Sequence, residues 1–120
     1  MRYNILGVRF KIETDIMIVR EFFSYVYENF LEEPYYESSI CYKISSNRSI
    51  AEQECCYTIN RNGIDFGNYT NANELLFSLE QSIMKDIIIH ISHLFLIHAA
   101  VLVNNEQAII LAGPSQSGKS

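Results

Sequence analysis

The sequence lacks any cluster of lysine and arginine residues. Nine basic residues stand against 14 acidic ones, which gives a formal net charge of −5 and an isoelectric point near 5.1. Most of such a surface would repel the phosphate backbone of a nucleic acid. We therefore expect no nucleic-acid partner.

An apolar run long enough to cross a membrane is also lacking. The most apolar segment, residues 87–103, contains His90, Ser92, His93 and His98, whereas a membrane span needs about 20 predominantly apolar residues. We expect this segment to be buried core and expect no membrane partner. Because the N-terminus has neither the apolar region nor the cleavage site of a secretory signal, the sequence favours a cytoplasmic protein.

Cysteine is scarce, and the three cysteines form no recognisable pairing pattern. Cys41, Cys55 and Cys56 are odd in number and have no C-x-x-C spacing, and the adjacent Cys55 and Cys56 cannot easily form a disulfide with each other. A reducing compartment is the simplest explanation. On a strand these two thiols would point to opposite faces, and no cationic residue is adjacent to them in the sequence, so we favour structural cysteines over a redox function.

The overall composition is that of an ordinary folded domain. Hydrophobic residues make up 48% of the chain and charged residues 19%, which argues against a disordered, collagen-like or coiled-coil protein. A chain of this length buries roughly two-thirds of its unfolded surface, enough for a core without disulfides. No repeat, low-complexity tract or Pro/Gly/Ser-rich linker divides it.

The first half of the sequence alternates between strand and helix patterns. Alternating apolar residues predict a strand over residues 7–12. From Asp15 the spacing becomes helical, with Thr14 or Asp15 as the N-cap and Pro34 just beyond the end. A second strand is predicted over residues 39–45. The apolar positions of the predicted helix are Val19, Phe22, Phe23, Val26 and Phe30.

The middle of the sequence carries a hairpin signal. Asn62 and Gly63 suit the positive φ angles of a type I′ turn. We therefore predict a hairpin over residues 56–66 that places Ile59 opposite Phe66.

A long helix is predicted from about Asn73. Asn71 and Glu74 have the spacing of a capping pair. An apolar stripe at helical spacing is wide enough to bury against a sheet. Its members are Leu75, Leu79, Ile83, Ile87, Ile91 and Leu94.

After Phe95 the pattern changes to that of two apolar strands. The first covers residues 96–103, the turn residues Asn104 and Asn105 follow, and the second strand covers residues 106–112. Strands joined by so short a turn must be antiparallel.

The second apolar strand runs into a sequence of the form G-x-x-x-x-G-K-S. Its residues are Gly113, Pro114, Ser115, Gln116, Ser117, Gly118, Lys119 and Ser120. Such a loop curls backbone N–H groups around a phosphate at a helix N-terminus. Lys119 would reach the β and γ phosphates of ATP, and the Ser120 hydroxyl would ligate Mg²⁺. Because the loop follows a strand that we expect to be apolar and buried, as the motif demands, we favour an ATP- and Mg²⁺-binding site over a Gly/Ser turn without a ligand.

Residues 96–120 resemble the HPr kinase/phosphorylase superfamily, and more narrowly its HPr kinase-related serine kinases. The resemblance rests on the strand Ile97-His98-Ala99-Ala100-Val101-Leu102-Val103, a short turn, the strand Ala108-Ile109-Ile110-Leu111-Ala112, and the glycine-rich loop. It implies an α/β fold, with an α+β lead-in followed by an antiparallel hairpin that runs into the phosphate-binding loop (P-loop) of a truncated PEP carboxykinase-like or HPr kinase-like nucleotide-binding core. We expect a lead-in subdomain over residues 1–70 and the start of the P-loop kinase domain over residues 71–120.

The same resemblance implies an ATP-dependent kinase that phosphorylates a serine on a small protein or peptide. In that family the histidine of the first hairpin strand lies close to the transferred phosphate. Beside Lys119, His98 would then orient or neutralise phosphate oxygens; the residues alone also allow a strand histidine bonded in the core. The family's catalytic base is an aspartate on a later strand that this sequence does not contain, so we expect an N-terminal portion that is inactive alone. Gln116 departs from the family, many members of which have glycine there.

Three alternatives remain open from the sequence. The loop also occurs in ATPases of the ATP-binding cassette type, although their loop usually lies closer to the start of the domain. The chain could also be a non-catalytic fragment or binding module. His90 and His93 are three residues apart and invite a zinc site, but a structural zinc needs four ligands, and we favour ordinary helix histidines.

Overall fold

The computed structural model describes residues 1–33, 36–48, 55–91 and 99–113. Within them the protein forms a five-stranded sheet with two helices and a separate two-stranded sheet, so the α/β class is confirmed. The elements are β1 Arg2–Ile5, β2 Val8–Thr14, α1 Met17–Val26, β3 Ile40–Arg48, β4 Cys55–Arg61, β5 Ile64–Tyr69, α2 Ala72–His90, β6 Ala99–Asn104 and β7 Gln107–Ala112. A single 3-10 turn, Glu28–Phe30, follows α1.

The five-stranded sheet has the strand order β1-β2-β3-β4-β5. The pair β2 and β3 is parallel, and the other neighbouring pairs are antiparallel. A parallel pair needs a crossover connection, and α1 supplies it between β2 and β3.

Both helices cover one face of this sheet. The inward-facing residues of the strands alternate along the chain, as a half-buried sheet requires, and they form one core with the apolar sides of α1 and α2. The buried members are Tyr3, Val8, Phe10, Ile12, Val19, Phe23, Tyr27, Ile40, Tyr42, Ile44, Ile59, Leu75, Leu79, Ile83 and Ile87. The core therefore spans the boundary predicted between residues 70 and 71, which stays a prediction.

The helical stripe predicted for α2 is confirmed over most of its length. Its first four members, from Leu75 to Ile87, are buried. The side chain of Asn71 caps the helix by accepting a hydrogen bond of 2.7 Å from the Asn73 amide. The helix ends at His90 with Ile91 as its C-cap, and Leu94 lies outside the described residues.

The middle hairpin also matches its prediction. Asn62 and Gly63 have φ angles of 50° and 90°, and Ile59 pairs with Phe66 across the strands. The strands are longer than predicted. Strand β3 continues past residue 45 to Arg48 and pairs there with β4, and β5 continues past residue 66 to Tyr69 and pairs with β4.

The predicted ends of α1 are wrong. Its N-cap is Ile16, without a side-chain cap, because the Thr14 hydroxyl instead donates to the Ile44 carbonyl and accepts from the Ile16 amide. The helix stops at Val26, and Phe30 belongs to the 3-10 turn. Pro34 lies outside the described residues.

Strand β1 was not predicted. It pairs with β2 through a two-residue turn in which Leu6 and Gly7 both have positive φ, 54° and 87°. Leucine rarely adopts this conformation, so the sequence carries a weak turn signal. The Asn4 side chain supports the turn by accepting a hydrogen bond of 2.9 Å from the Gly7 amide.

Cys41 and Cys56 are half-buried free thiols.

In the described part of the chain, no helix is both long enough and apolar enough to cross a membrane.

Candidate functional site

The strand that precedes the predicted phosphate-binding loop belongs to the β6–β7 hairpin. The two strands are antiparallel, as expected, and Ala99 pairs with Ala112 at the open end. The turn contains Asn105 and Glu106, with φ angles of 48° and 66°. The turn prediction is therefore off by one residue, since β6 continues through Asn104.

Only the first residue of the predicted loop is described. Gly113 is half-buried and directly follows β7. The other predicted ATP and Mg²⁺ ligands lie outside the described residues, as does His98. These ligands are Pro114, Ser115, Gln116, Ser117, Gly118, Lys119 and Ser120.

The apolar side chains of the hairpin are exposed on both of its faces. The large aliphatic residues are exposed by 40% to 72%. They are Val101, Leu102, Val103, Ile109, Ile110 and Leu111. The expectation that these strands are buried core is therefore wrong. Residues alternate between faces along a strand, and no other described element covers either face.

A second cluster, which sequence analysis missed, lies where α2 packs on β3 and β4. The Asp86 carboxylate is 8% exposed and accepts from Arg61 at two points, 2.9 Å from Nε to Oδ2 and 2.7 Å from Nη2 to Oδ1. The Tyr42 hydroxyl donates to the same Oδ2. Because that hydroxyl has a single hydrogen, the Ser82 hydroxyl, 3.0 Å away, must donate to the Tyr42 oxygen.

These contacts shift the pKa values of the cluster. Burial raises the pKa of Asp86, but the hydrogen bonds from Arg61 and Tyr42 together outweigh it, so the net shift is downward. Burial, reinforced by the hydrogen bond to Asp86, raises the pKa of Tyr42 to about 12. The hydrogen bond to Asp86 raises the pKa of Arg61 further. At neutral pH the cluster is therefore a carboxylate, a guanidinium and a neutral phenol.

A cleft of about 840 Å³ lies beside this cluster, between α2 and the strands β4 and β5. Its polar lining includes Arg61, Ser82 and Lys85, and its apolar lining consists of Phe66 on β5 and of residues on α2. Because both Nε and Nη2 of Arg61 donate hydrogen bonds to Asp86, the Arg61 guanidinium links α2 to β4 of the sheet.

The sequence did contain a signal for this cluster. Asp86 lies beside Ile87 and three residues after Ile83, on the apolar stripe of α2. A charged residue on a buried stripe needs a partner. The partner itself could not be identified, because pairing with Arg61 depends on how the helix sits on the sheet.

The histidines give no metal centre among the described residues. Nδ1 of His90 lies 2.7 Å from the Asp86 carbonyl oxygen within the same helix. His93 lies outside the described residues. In the parts of the chain that the structure describes, no group of three or more His, Cys, Asp or Glu side chains could hold a metal ion.

Comparisons of the chain with family profiles, with curated proteins and with solved structures found no match.

Proposed function

We propose that the chain is the N-terminal portion of an ATP-dependent kinase that phosphorylates a serine on a small protein or peptide. Residues 113–120 would bind the ATP phosphates. The observation that carries the proposal is the sequence G-x-x-x-x-G-K-S directly after β7. A phosphate-binding loop requires a preceding strand of this kind.

The exposure of the β6–β7 hairpin supports the same proposal. A two-stranded hairpin is marginally stable alone in water, and one that is apolar on both faces needs cover on both. A nucleotide-binding sheet built onto the hairpin would provide further strands at its edges and helices on its faces. The exposed residues, from Val101 to Leu111, would then form the core of that domain.

The chemistry of the loop residues fits a nucleotide phosphate with Mg²⁺. Backbone N–H groups and the Lys119 ammonium are donors for phosphate oxygens. The Ser120 hydroxyl is an oxygen ligand of the type that Mg²⁺ prefers. When bound, Mg²⁺ neutralises charge on the β and γ phosphates. Lys119 would stabilise the charge on the transferred phosphoryl group, which is the main catalytic contribution in this chemistry.

The role proposed for His98 rests on the resemblance alone. In the similar kinases the histidine of the first hairpin strand lies close to the transferred phosphate, and His98 directly precedes β6 in the sequence. It would then orient or neutralise phosphate oxygens.

The proposal is tested by replacing Lys119 in the complete enzyme that contains this chain. Transfer of labelled γ-phosphate from ATP to serine-containing acceptor proteins is measured for the wild type, for Lys119→Ala and for the control Lys43→Ala, which changes an exposed lysine of β3. We expect transfer to be lost only in Lys119→Ala. Equal transfer by Lys119→Ala and the wild type would contradict the proposal.

A further inference from the structure

The outer surface of the two-helix layer carries apolar residues that the five-stranded sheet does not use. On α1, Met17 and Tyr25 are eight residues apart and share one side. On α2, Phe77, Met84 and Ile88 have the spacing of a second stripe. These five residues are exposed by 45% to 84%. We call them the outer helical face.

This face lies away from the core, and its members Met84 and Ile88 also line the cleft between α2 and the strands β4 and β5. The sheet side of α1 carries the buried Val19 and Phe23, and the sheet side of α2 carries the buried stripe that begins at Leu75. A hydrogen bond of 2.8 Å from the Tyr27 hydroxyl to Glu80 holds the two helices side by side. Their exposed apolar residues therefore lie on the same outer surface of one layer.

The size of the outer helical face matches what a stable protein interface needs. A fully exposed aromatic side chain presents roughly 150–250 Å² of surface. For an aliphatic side chain, the transfer free energy corresponds to roughly 60–120 Å² of apolar surface. Scaled by their exposure, the five residues present on the order of 500 Å² of apolar surface. A standard interface buries about 800 Å² per partner including its polar rim.

The charges beside this face are complementary to a second copy of the same face. Glu21 on α1 lies between Met17 and Tyr25 at four-residue spacing, and Lys85 on α2 lies beside Met84. Both are exposed, and neither takes part in an ion pair among the described residues. In a two-fold arrangement a contact between α1 of one copy and α2 of the other occurs twice. Glu21 of each copy would then meet Lys85 of the other.

We propose that two copies of this chain associate through their outer helical faces, with α1 of one copy against α2 of the other. The apolar residues form the centre of the interface, and Glu21 and Lys85 form its rim. The hairpin β6–β7 takes no part in it and stays available for the nucleotide-binding domain.

Sedimentation equilibrium of the 120-residue chain over a range of concentrations tests this interface. We expect the wild type to approach twice its 13.9 kDa mass. Phe77→Glu should weaken the dimer at least about 30-fold, as expected for an aromatic residue at the centre of an interface. The matched controls Ile64→Glu and Val103→Glu change equally exposed apolar residues outside the face and should leave the dimer unchanged. Circular dichroism establishes that each variant is folded.

Charge exchange tests the two-fold arrangement. Glu21→Lys alone and Lys85→Glu alone should each weaken the dimer about tenfold, because like charges then meet across the interface. The double variant should restore the wild-type affinity. A wild type that stays monomeric, an association lost in Val103→Glu but kept in Phe77→Glu, or a double variant without restored affinity would each overturn the proposal.

Discussion

Asp86 on α2 and Arg61 on β4 form a two-point ion pair in which Nε and Nη2 of the guanidinium reach different carboxylate oxygens, at 2.9 Å and 2.7 Å. The carboxylate is nearly buried, whereas about a third of the Arg61 side chain is exposed. Tyr42 donates to the same carboxylate from β3. The ion pair therefore joins α2 to β4, and Tyr42 joins it to β3.

Removing the Arg61 guanidinium should destabilise the fold more than removing a cation of an exposed ion pair. Breaking a fully buried pair costs about 3–5 kcal/mol. For Arg61→Met we expect a loss of about 2 kcal/mol in the free energy of unfolding, since the guanidinium is partly solvated. Lys43→Met is the control, because Lys43 forms an exposed pair with Glu13 and should cost less than about 1 kcal/mol. Urea denaturation measures both values, and equal losses in the two variants would refute the role of the pair.

The stability contributed by Asp86 should disappear in acid. Its pKa is lowered in the folded state, whereas the unfolded value is about 3.9. Above the unfolded pKa the stabilisation is fully present. As the pH falls through this value towards the folded pKa, the unfolded state takes up a proton first and the stabilisation is lost.

Urea denaturation of the wild type and Asp86→Asn from neutral pH to about pH 3 tests this pH dependence. The stability difference between them should be constant near neutrality and should shrink in acid. Taking the difference cancels the contribution of Glu13, whose pKa is also lowered. A difference that does not change with pH would contradict the assignment.

Two glycines of the middle hairpin should differ in their tolerance of alanine. Gly63 and Gly67 both have positive φ, 90° and 68°, but only at Gly67 would an added Cβ clash with the side chain of Tyr69. Gly63→Ala should cost about 1–2 kcal/mol from backbone strain. Gly67→Ala should cost more, because Tyr69 must also move away from its hydrogen bond with Ser78.

A Tyr69→Ala background separates these two contributions. In it the excess cost of Gly67→Ala over Gly63→Ala should vanish, leaving strain alone. Thermal or urea unfolding is measured for Gly63→Ala and Gly67→Ala, each with Tyr69 present and in the Tyr69→Ala background. An excess that persists without the tyrosine ring would show that the clash is not its cause.

The core of the five-stranded sheet and the β6–β7 hairpin should respond differently to mutation. Leu79 is fully buried between helix and sheet, and Leu79→Ala should cost about 2–5 kcal/mol. Val103 is exposed, and Val103→Thr should change the unfolding free energy by less than about 0.5 kcal/mol. Comparable losses at the two positions would mean that the hairpin packs into the same core.

Local patterns predicted the fold well where one residue type determines the backbone. Asn62 and Gly63 identified a turn, Asn71 identified a helix N-cap, and the stripe beginning at Leu75 identified a buried helix face. Predictions failed where a distant contact decided the outcome. Thr14 looked like a helix cap, but its hydroxyl bonds to the Ile44 carbonyl of the adjacent strand.

Burial was harder to predict than secondary structure. An apolar strand such as β7 has the same sequence pattern whether or not another layer covers it. The pattern therefore predicted the strand correctly and its burial wrongly. The motif of Gly113, Lys119 and Ser120 predicts a phosphate-binding loop without reference to packing, and this loop stays a prediction. The pairing of Asp86 with Arg61, in contrast, depends on packing entirely.

Calorimetric titration of Mg·ATP into the complete protein tests whether residues 113–120 bind the phosphates of ATP. The wild type and the control Lys43→Ala should bind with micromolar affinity, and the affinity of Lys119→Ala should be at least about 100-fold lower, since the substitution removes a charged group from the phosphates. A wild type that binds no nucleotide, or a Lys119→Ala variant that binds as tightly as the wild type, would contradict a phosphate-binding loop at residues 113–120.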